Sequence, residues 1–175
     1  MEHVVLGWPG DEPTLQLDHR RFAYAGKFVI SRTGKAVARE DGAVIAAVAF
    51  DEDRADESVA RLRYVTVVAD RRGEGIGPRL CRFTTARLHE RGYDTVRIAV
   101  NNPIAYVALY RAGFGYTGTE TGLAELVLVH PGQRRADRYR EGLAIFEERD
   151  LDAANRAVLE RYRHEDPPPT VEPPD

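Results

Sequence analysis

The chain contains a single cysteine, Cys81, so no disulfide can form within it. No apolar run approaches the length needed to cross a bilayer, and the opening "MEHVVLGWPGDE" has no basic stretch followed by an apolar one. A cytoplasmic, membrane-free protein is expected. It also lacks a strong charge of either sign. Net charge is −3 over 175 residues, too little to draw it to nucleic acid or anionic lipid. No internal repeat is visible. Cys81 lies in a helical pattern, "PRLCRFTTARL", with no adjacent histidine, which reads as buried filler rather than a nucleophile.

What is present is an alternation of short apolar strands and amphipathic helices. "EHVVLGW" reads as a strand, and "GKAVARE" and "GAVIAAVAF" as a hairpin around Asp41-Gly42, a type I′ turn signal. "LDHRRFAYAGK" suggests a short helix capped by Asp18 and stopped at Gly26. The acidic run Asp51 to Glu57 reads as a solvated loop. "ARLRYVTVVAD" alternates as a strand, and "GPRLCRFTTARLHERG" gives a helix with Pro78 in its first turn and Gly92 at its end.

"DTVRIAV" is a further strand. "NNPIAYVALYRAGF" is a helix with Asn102 as N-cap, Pro103 first and Gly113 as stop. Two strands follow around Thr121-Gly122. After them come two helical stripes, Tyr139, Leu143 and Phe146, then Leu151, Ala154, Val158 and Tyr162. This order implies an α/β chain with a mixed, mostly antiparallel twisted sheet of six to seven strands, flanked by helices. Residues 133–164 form a helical extension of a domain spanning 1–132. Residues 165–175, "EDPPPTVEPPD", form a proline-rich acidic tail expected to be disordered.

Three glycines in five residues, Gly73, Gly75 and Gly77, follow two arginines at the strand-to-helix junction. No Lys-Ser or Lys-Thr follows, which excludes an ATPase phosphate loop, and the G-x-G-x-G spacing departs from the dinucleotide fingerprint. A strand, an arginine-glycine loop and a helix N-terminus remain, a concavity of main-chain N–H groups suited to an anion.

Arg72-Gly73-Glu74-Gly75-Ile76-Gly77 resembles the R/Q-x-x-G-x-G/A signature of the GNAT superfamily of N-acetyltransferases, within "VTVVADRRGEGIGPRL". "RIAVNNPIAYVALYRAGF" resembles that family's next strand, Asn-rich turn, helix and closing Gly-Phe. Together the motifs run from about Leu62 to Phe114, and the element order extends the likeness from Val4 to about Val129. The resemblance implies acetyl-CoA as cosubstrate, no metal, and an amine acceptor. It assigns the coenzyme's pyrophosphate to Arg72, Gly73, Glu74, Gly75, Ile76, Gly77 and Pro78. At least one of Arg71 and Arg72 is expected to lie along the surface. Main-chain groups of Val67 and Val68 are assigned to the pantetheine arm and the thioester carbonyl, and Asn102 is assigned a second contact with the coenzyme.

The family's general-acid tyrosine falls here on Leu109, one residue before Tyr110. The resemblance therefore leaves Tyr110, Tyr106 or solvent to protonate the thiolate. Glu120, Asp51 and His89 are base candidates by type only. The acceptor site is implied in "LDHRRFAYAGKFVIS" and "GYTGTETG", with Phe22, Tyr24 and Phe28 as pocket or core residues. The C-terminal stripes dock either on the domain or on a second copy, forming a homodimer. The rival reading is an acyl-CoA-binding sensor or scaffold of the same fold that transfers nothing.

Overall fold

The computed structural model describes residues 1–174. It contains seven strands and four α-helices in a mostly antiparallel, seven-stranded open sheet, the expected α/β class. The described chain comprises two compact units, Met1–Val96 with the end from Glu172, and Arg97–Val171. The 132/133 boundary read from motifs falls inside the second.

The first unit is built on four consecutive antiparallel strands, β1 (Glu2–Gly7), β2 (Gly34–Glu40), β3 (Ala43–Glu52) and β4 (Val59–Val67). Asp41 and Gly42 join β2 to β3 with φ of 52° and 80°, the two left-handed residues a type I′ turn demands. Pairing register separates the faces. His3, Ala38, Ala46 and Val67 lie in one row, and Val4, Val37, Ala47 and Thr66 in the next. Helix α1 (Ile76–Glu90) covers the first row, with Phe83 packed on the His3 ring at 5.7 Å. Alanine at positions 38 and 46 lets the helix approach closely.

The opposite face is covered by the segment between β1 and β2. Phe28, completely buried, packs on Val37, Ala47 and Ala49, with Leu15, Leu17 and Tyr64 around it. The helix expected at Asp18 is absent. Residues 19–24 form turns and Ala25–Val29 a 3-10 turn. The reason is local, since the Asp18 carboxylate accepts from the main chain and guanidinium of Arg20, two residues on, and closes a turn instead of capping a helix. The fully buried Lys35 ammonium staples this segment to β2 by donating to the carbonyls of Pro13 and Thr33, 2.6 and 2.8 Å away, and of Ile30.

The acidic run also departs from expectation. Asp51 and Glu52 extend β3, and Asp51 accepts from Arg61 at 2.8 and 2.9 Å and from Arg63 at 2.9 Å. Three cross-strand charges thus draw the start of the run into the sheet, while residues 53–58 form the expected loop with Arg54 to Glu57 exposed. Cys81 is buried on α1, and burial pushes its thiol up to about 12, as suits an inert filler.

The second unit starts within β5 (Thr95–Val100) and continues through α2 (Pro103–Arg111), the antiparallel hairpin β6 (Gly115–Glu120) and β7 (Leu126–His130), α3 (Ala136–Ile145) and α4 (Ala153–Tyr162). Tyr139, Leu143 and Phe146 are all fully buried, against α2 and β6. The first C-terminal stripe is therefore spent inside the chain. The second stripe differs, because Leu151, Val158 and Tyr162 are only half-buried and Ala154 is exposed, while the buried residue of α4 is the neighbouring Leu159.

The proline-rich stretch carries no helix or strand, yet it has specific partners. Arg134 donates to the Pro168 carbonyl at 2.7 Å, Arg140 to Asp166 at 2.7 Å, and Val171 N–H to the Arg111 carbonyl at 2.8 Å. Proline supplies a carbonyl without a competing N–H, which Arg134 uses at Pro168. Asp175 lies outside the described residues.

Helix α3 can approach α2 only because residue 142 lacks a side chain. A Cβ there would sit 2.6 Å from Cζ of the Tyr106 ring. Gly142→Ala is expected to destabilise by about 1–3 kcal/mol, lowering Tm by roughly 2–10 °C in scanning calorimetry. A Tm at or above the parent's would contradict this packing.

Candidate active site

Strand β4 ends at Val67 and passes through a 3-10 turn (Ala69–Arg71) into the glycine loop. Gly73 and Gly75 take φ of 84° and 80°, a conformation that costs an L-residue about 1–2 kcal/mol. Gly75 is also the N-cap of α1. Among the described residues, no carbonyl or side chain accepts a hydrogen bond from the six consecutive amides of Arg72 to Gly77. The first satisfied N–H is that of Arg79, bonded to the Gly75 carbonyl at 3.2 Å. Pro78, buried in the first turn, has no N–H to satisfy. The loop thus presents unpaired donors at the positive end of a 15-residue helix.

The arginines around the loop are engaged with the protein. Arg71 donates to Glu74 at 3.0 Å and to Glu40 at the end of β2. These bonds hold the Glu40 carboxyl below the usual carboxylate range and raise the Arg71 guanidinium. Arg71 is therefore the arginine whose side chain lies along the surface, as one of the pair was expected to. Arg72 reaches back to the Val67 carbonyl at 3.3 Å, and Arg79 to the Glu74 carbonyl at 3.2 Å. What faces outward is mainly main chain.

Val67 and Val68 differ. Val68 N–H donates to the Ile45 carbonyl at 2.8 Å, and the Val68 carbonyl accepts from Arg71 N–H at 3.0 Å. Each of its main-chain groups thus already has a partner within the chain. Antiparallel pairing alternates, so the next pair, Ala46 and Val67, does not exchange hydrogen bonds. Val67 therefore turns its N–H away from β3, toward the other edge of β4.

Asn102, Tyr106 and Tyr110 belong to the second unit. Asn102 caps α2, its Oδ1 accepting from Ala105 N–H at 2.9 Å. Asn155 of α4 accepts from Ile104 N–H at 3.0 Å, a second satisfied donor of the same helix end. Both tyrosines are completely buried. The Tyr106 hydroxyl donates to the Tyr139 carbonyl at 2.9 Å, and the Tyr110 hydroxyl accepts from Tyr116 N–H at 2.9 Å. Their rings stack within an aromatic cluster that includes Tyr139 and Phe146, and burial raises the Tyr106 hydroxyl well above the ordinary tyrosine range. A proton donor must reach the reacting atoms. These hydroxyls are held inside the packing of α2, β6 and α3.

The base candidates by type fare no better. Asp51 is paired with two arginines, His89 Nδ1 lies 2.9 Å from the Tyr93 carbonyl, and Glu120 sits exposed at the end of β6. In the acceptor segment, Phe22 and Phe28 are core residues, whereas Tyr24 is 55% exposed. Tyr24 borders a cavity of about 500 Å³ whose other lining includes His19, Lys27 and Ile30. Sequence reading missed His19 and Lys27 there; isolated polar residues in an irregular segment carry no periodic signal. Among the described residues, no three His, Cys, Asp or Glu side chains converge as metal ligands, and no helix is long and apolar enough to cross a membrane.

A mostly antiparallel sheet whose fourth strand feeds a bare glycine loop and a helix N-terminus defines the GNAT acetyltransferase fold. The profile of the acetyltransferase (GNAT) family matches residues 4–116, and the chain belongs to that family. No curated protein matches it.

Among solved structures, the IAA acetyltransferase from Bacillus cereus ATCC 14579 is 18% identical with a TM-score of 0.51, covering 73% of this chain and 98% of that one. The GCN5-related N-acetyltransferase from Kribbella flavida is 21% identical with a TM-score of 0.50, covering 57% and 67%. At these identities the likeness is one of fold. The chain spans 64% of nourseothricin acetyltransferase and 64% of an N-acetyltransferase from Staphylococcus aureus Mu50.

If the Tyr110 hydroxyl is a buried acceptor, Tyr110→Phe leaves Tyr116 N–H without a partner. A loss of about 1–3 kcal/mol in urea unfolding is expected. An unchanged midpoint would return the hydroxyl to the list of functional groups.

Proposed function

We propose that this protein transfers an acetyl group from acetyl-CoA to a primary amine by direct attack, with Arg72 to Pro78 holding the coenzyme's diphosphate. The observation that carries this reading is the run of six unpaired amides opening onto a helix N-terminus. A diphosphate satisfies such donors with charge-assisted hydrogen bonds, each worth about 1.5–3 kcal/mol. The residues fit the group, because Gly73 has no atom within 4 Å of where a Cβ would stand, so its face is open.

Bound there, acetyl-CoA supplies an activated carbonyl and a thiolate leaving group. Val67 N–H, directed off the edge of β4, polarises the thioester oxygen and takes the oxyanion role alone. Asn102 keeps its cap, with its amide donating to Asn101 Oδ1 at 3.0 Å. With Tyr106 and Tyr110 sealed, solvent protonates the departing sulfur and receives the amine proton. The protein acts in the cytoplasm without metal, nucleic acid or membrane. The burial of the first C-terminal stripe supports a docked extension rather than a dimer contact through that stripe.

A second reading, an acyl-CoA-binding sensor or scaffold, is favoured by one observation, the engagement of both tyrosine hydroxyls inside the core. Thiol release from acetyl-CoA with a panel of amines separates the two readings. Transfer predicts amine-dependent release, and its absence alongside calorimetric coenzyme binding favours the sensor.

Gly75→Ala is expected to weaken coenzyme A binding by roughly 5- to 100-fold in calorimetry. It would strain a left-handed residue and displace its amide from the cradle. Affinity equal to the parent's would refute the phosphate assignment.

A further inference from the structure

The acceptor segment forms its own site on the first unit, and its chemistry narrows what the enzyme acetylates. The cavity of about 500 Å³ is of a size that takes small ligands, and its lining combines Phe22, Tyr24 and Ile30 with His19 and Lys27. It contains no carboxylate. Apolar side chains are unusually open around it, with Tyr24 55%, Val29 43% and Ile30 36% exposed. Tyr24 adopts φ of 61°, a left-handed conformation that a bulky residue occupies only under constraint.

The cations of this segment are not equivalent. Arg20 is tied to Asp18 at 3.0 Å, and Arg21 lies 3.9 Å from Asp70. Lys27 has no carboxylate partner among the described residues. Its ammonium lies 5.6 Å from the centroid of the Tyr64 ring. A charge resting on an aromatic face beside open apolar surface remains available to an incoming anion.

The cavity also adjoins the end of β4. Tyr24 packs on Tyr64 of that strand at 5.7 Å, and Ala69 N–H, two residues beyond Val67, donates to the Arg21 carbonyl at 3.0 Å. A ligand held by Lys27 and Tyr24 therefore lies along the strand whose edge carries Val67.

We infer that the acceptor is a small amine bearing a carboxylate and an apolar side chain, an apolar α-amino acid, with Lys27 binding its carboxylate and Tyr24 and Ile30 its side chain. This rests on the acetyl-transfer reading. A polycationic acceptor meets the opposite environment, since nothing in the lining neutralises it and Lys27 repels it. In the reaction the neutral amine nitrogen bonds to the acetyl carbon and the carbon–sulfur bond breaks. Sulfur leaves with the bonding pair as thiolate, and the nitrogen's surplus proton passes to solvent.

Thiol release is measured with phenylalanine and leucine against their decarboxylated counterparts, phenethylamine and isoamylamine, and against spermidine. The amino acids are expected to exceed their counterparts in kcat/KM by roughly 5- to 20-fold, with spermidine lowest. Lys27→Ala collapses that ratio toward one, mainly through KM, and Lys27→Arg restores it. Preference for spermidine or for the decarboxylated amines overturns this inference and leaves acetyl transfer standing, as does a ratio indifferent to Lys27.

If no amine is turned over, binding of N-acetylphenylalanine and N-acetylphenethylamine is followed by NMR titration. Selective, Lys27-dependent binding of the acid keeps the site's chemistry and sinks the transfer reading. No selectivity sinks the inference as well.

Discussion

A main-chain N–H without an acceptor in the protein must find one in water or in a ligand, and among the described residues Arg72 to Gly77 place six such groups side by side. Everything at the proposed coenzyme site follows from how this is arranged. The glycines at 73 and 75 turn left-handed because no other residue does so at little cost. Gly75 then starts α1 at a point where the strand's end and the helix's first turn offer donors together. Arg71 is neutralised by Glu40 and Glu74, so the loop's attraction for an anion comes from oriented dipoles held by the fold.

The same backbone accounting separates two neighbouring valines of like chemistry. Antiparallel pairing spends Val68 on Ile45 and leaves the Val67 N–H directed away from β3. A shift of one residue in the pairing of β3 with β4 would exchange their roles. The register is held by Ala46 and Val48 paired with Val67 and Val65 on one face and by the Phe28 cluster on the other, so stability of the sheet and orientation of the proposed oxyanion donor have one origin.

In the second unit, the C-terminal helices complete a core rather than decorate one. Tyr139 and Phe146 close over Tyr106 and Tyr110, and the carbonyl of Tyr139 and the N–H of Tyr116 occupy the two hydroxyls. Tyr106 and Tyr110 are inexpensive to bury because each of their hydroxyls has a partner. The raised proton affinity of Tyr106 is a consequence of packing. It is not by itself a sign of catalysis.

The element order, the hairpin at Asp41-Gly42, the Asn102 cap and the glycine loop were all legible in the sequence, because each depends on neighbours within a few residues. Turn conformers, caps and periodicity are local properties, and so are the motifs that carry the family. Asp18, Asp51, Val68, Tyr106 and Tyr110 were not legible in the same way. Asp18 is spent on a turn with Arg20 two residues on, while the partners of the others lie across a neighbouring strand or a packed helix, which no spacing along the chain announces. The Lys27 cavity belongs with these, formed where an irregular segment folds onto Tyr64. The sequence alone determined which backbone segments form and where an anion can be held. Tertiary structure alone decided which side chains stay accessible, because burial and hydrogen-bond partnership are settled by contacts between distant residues.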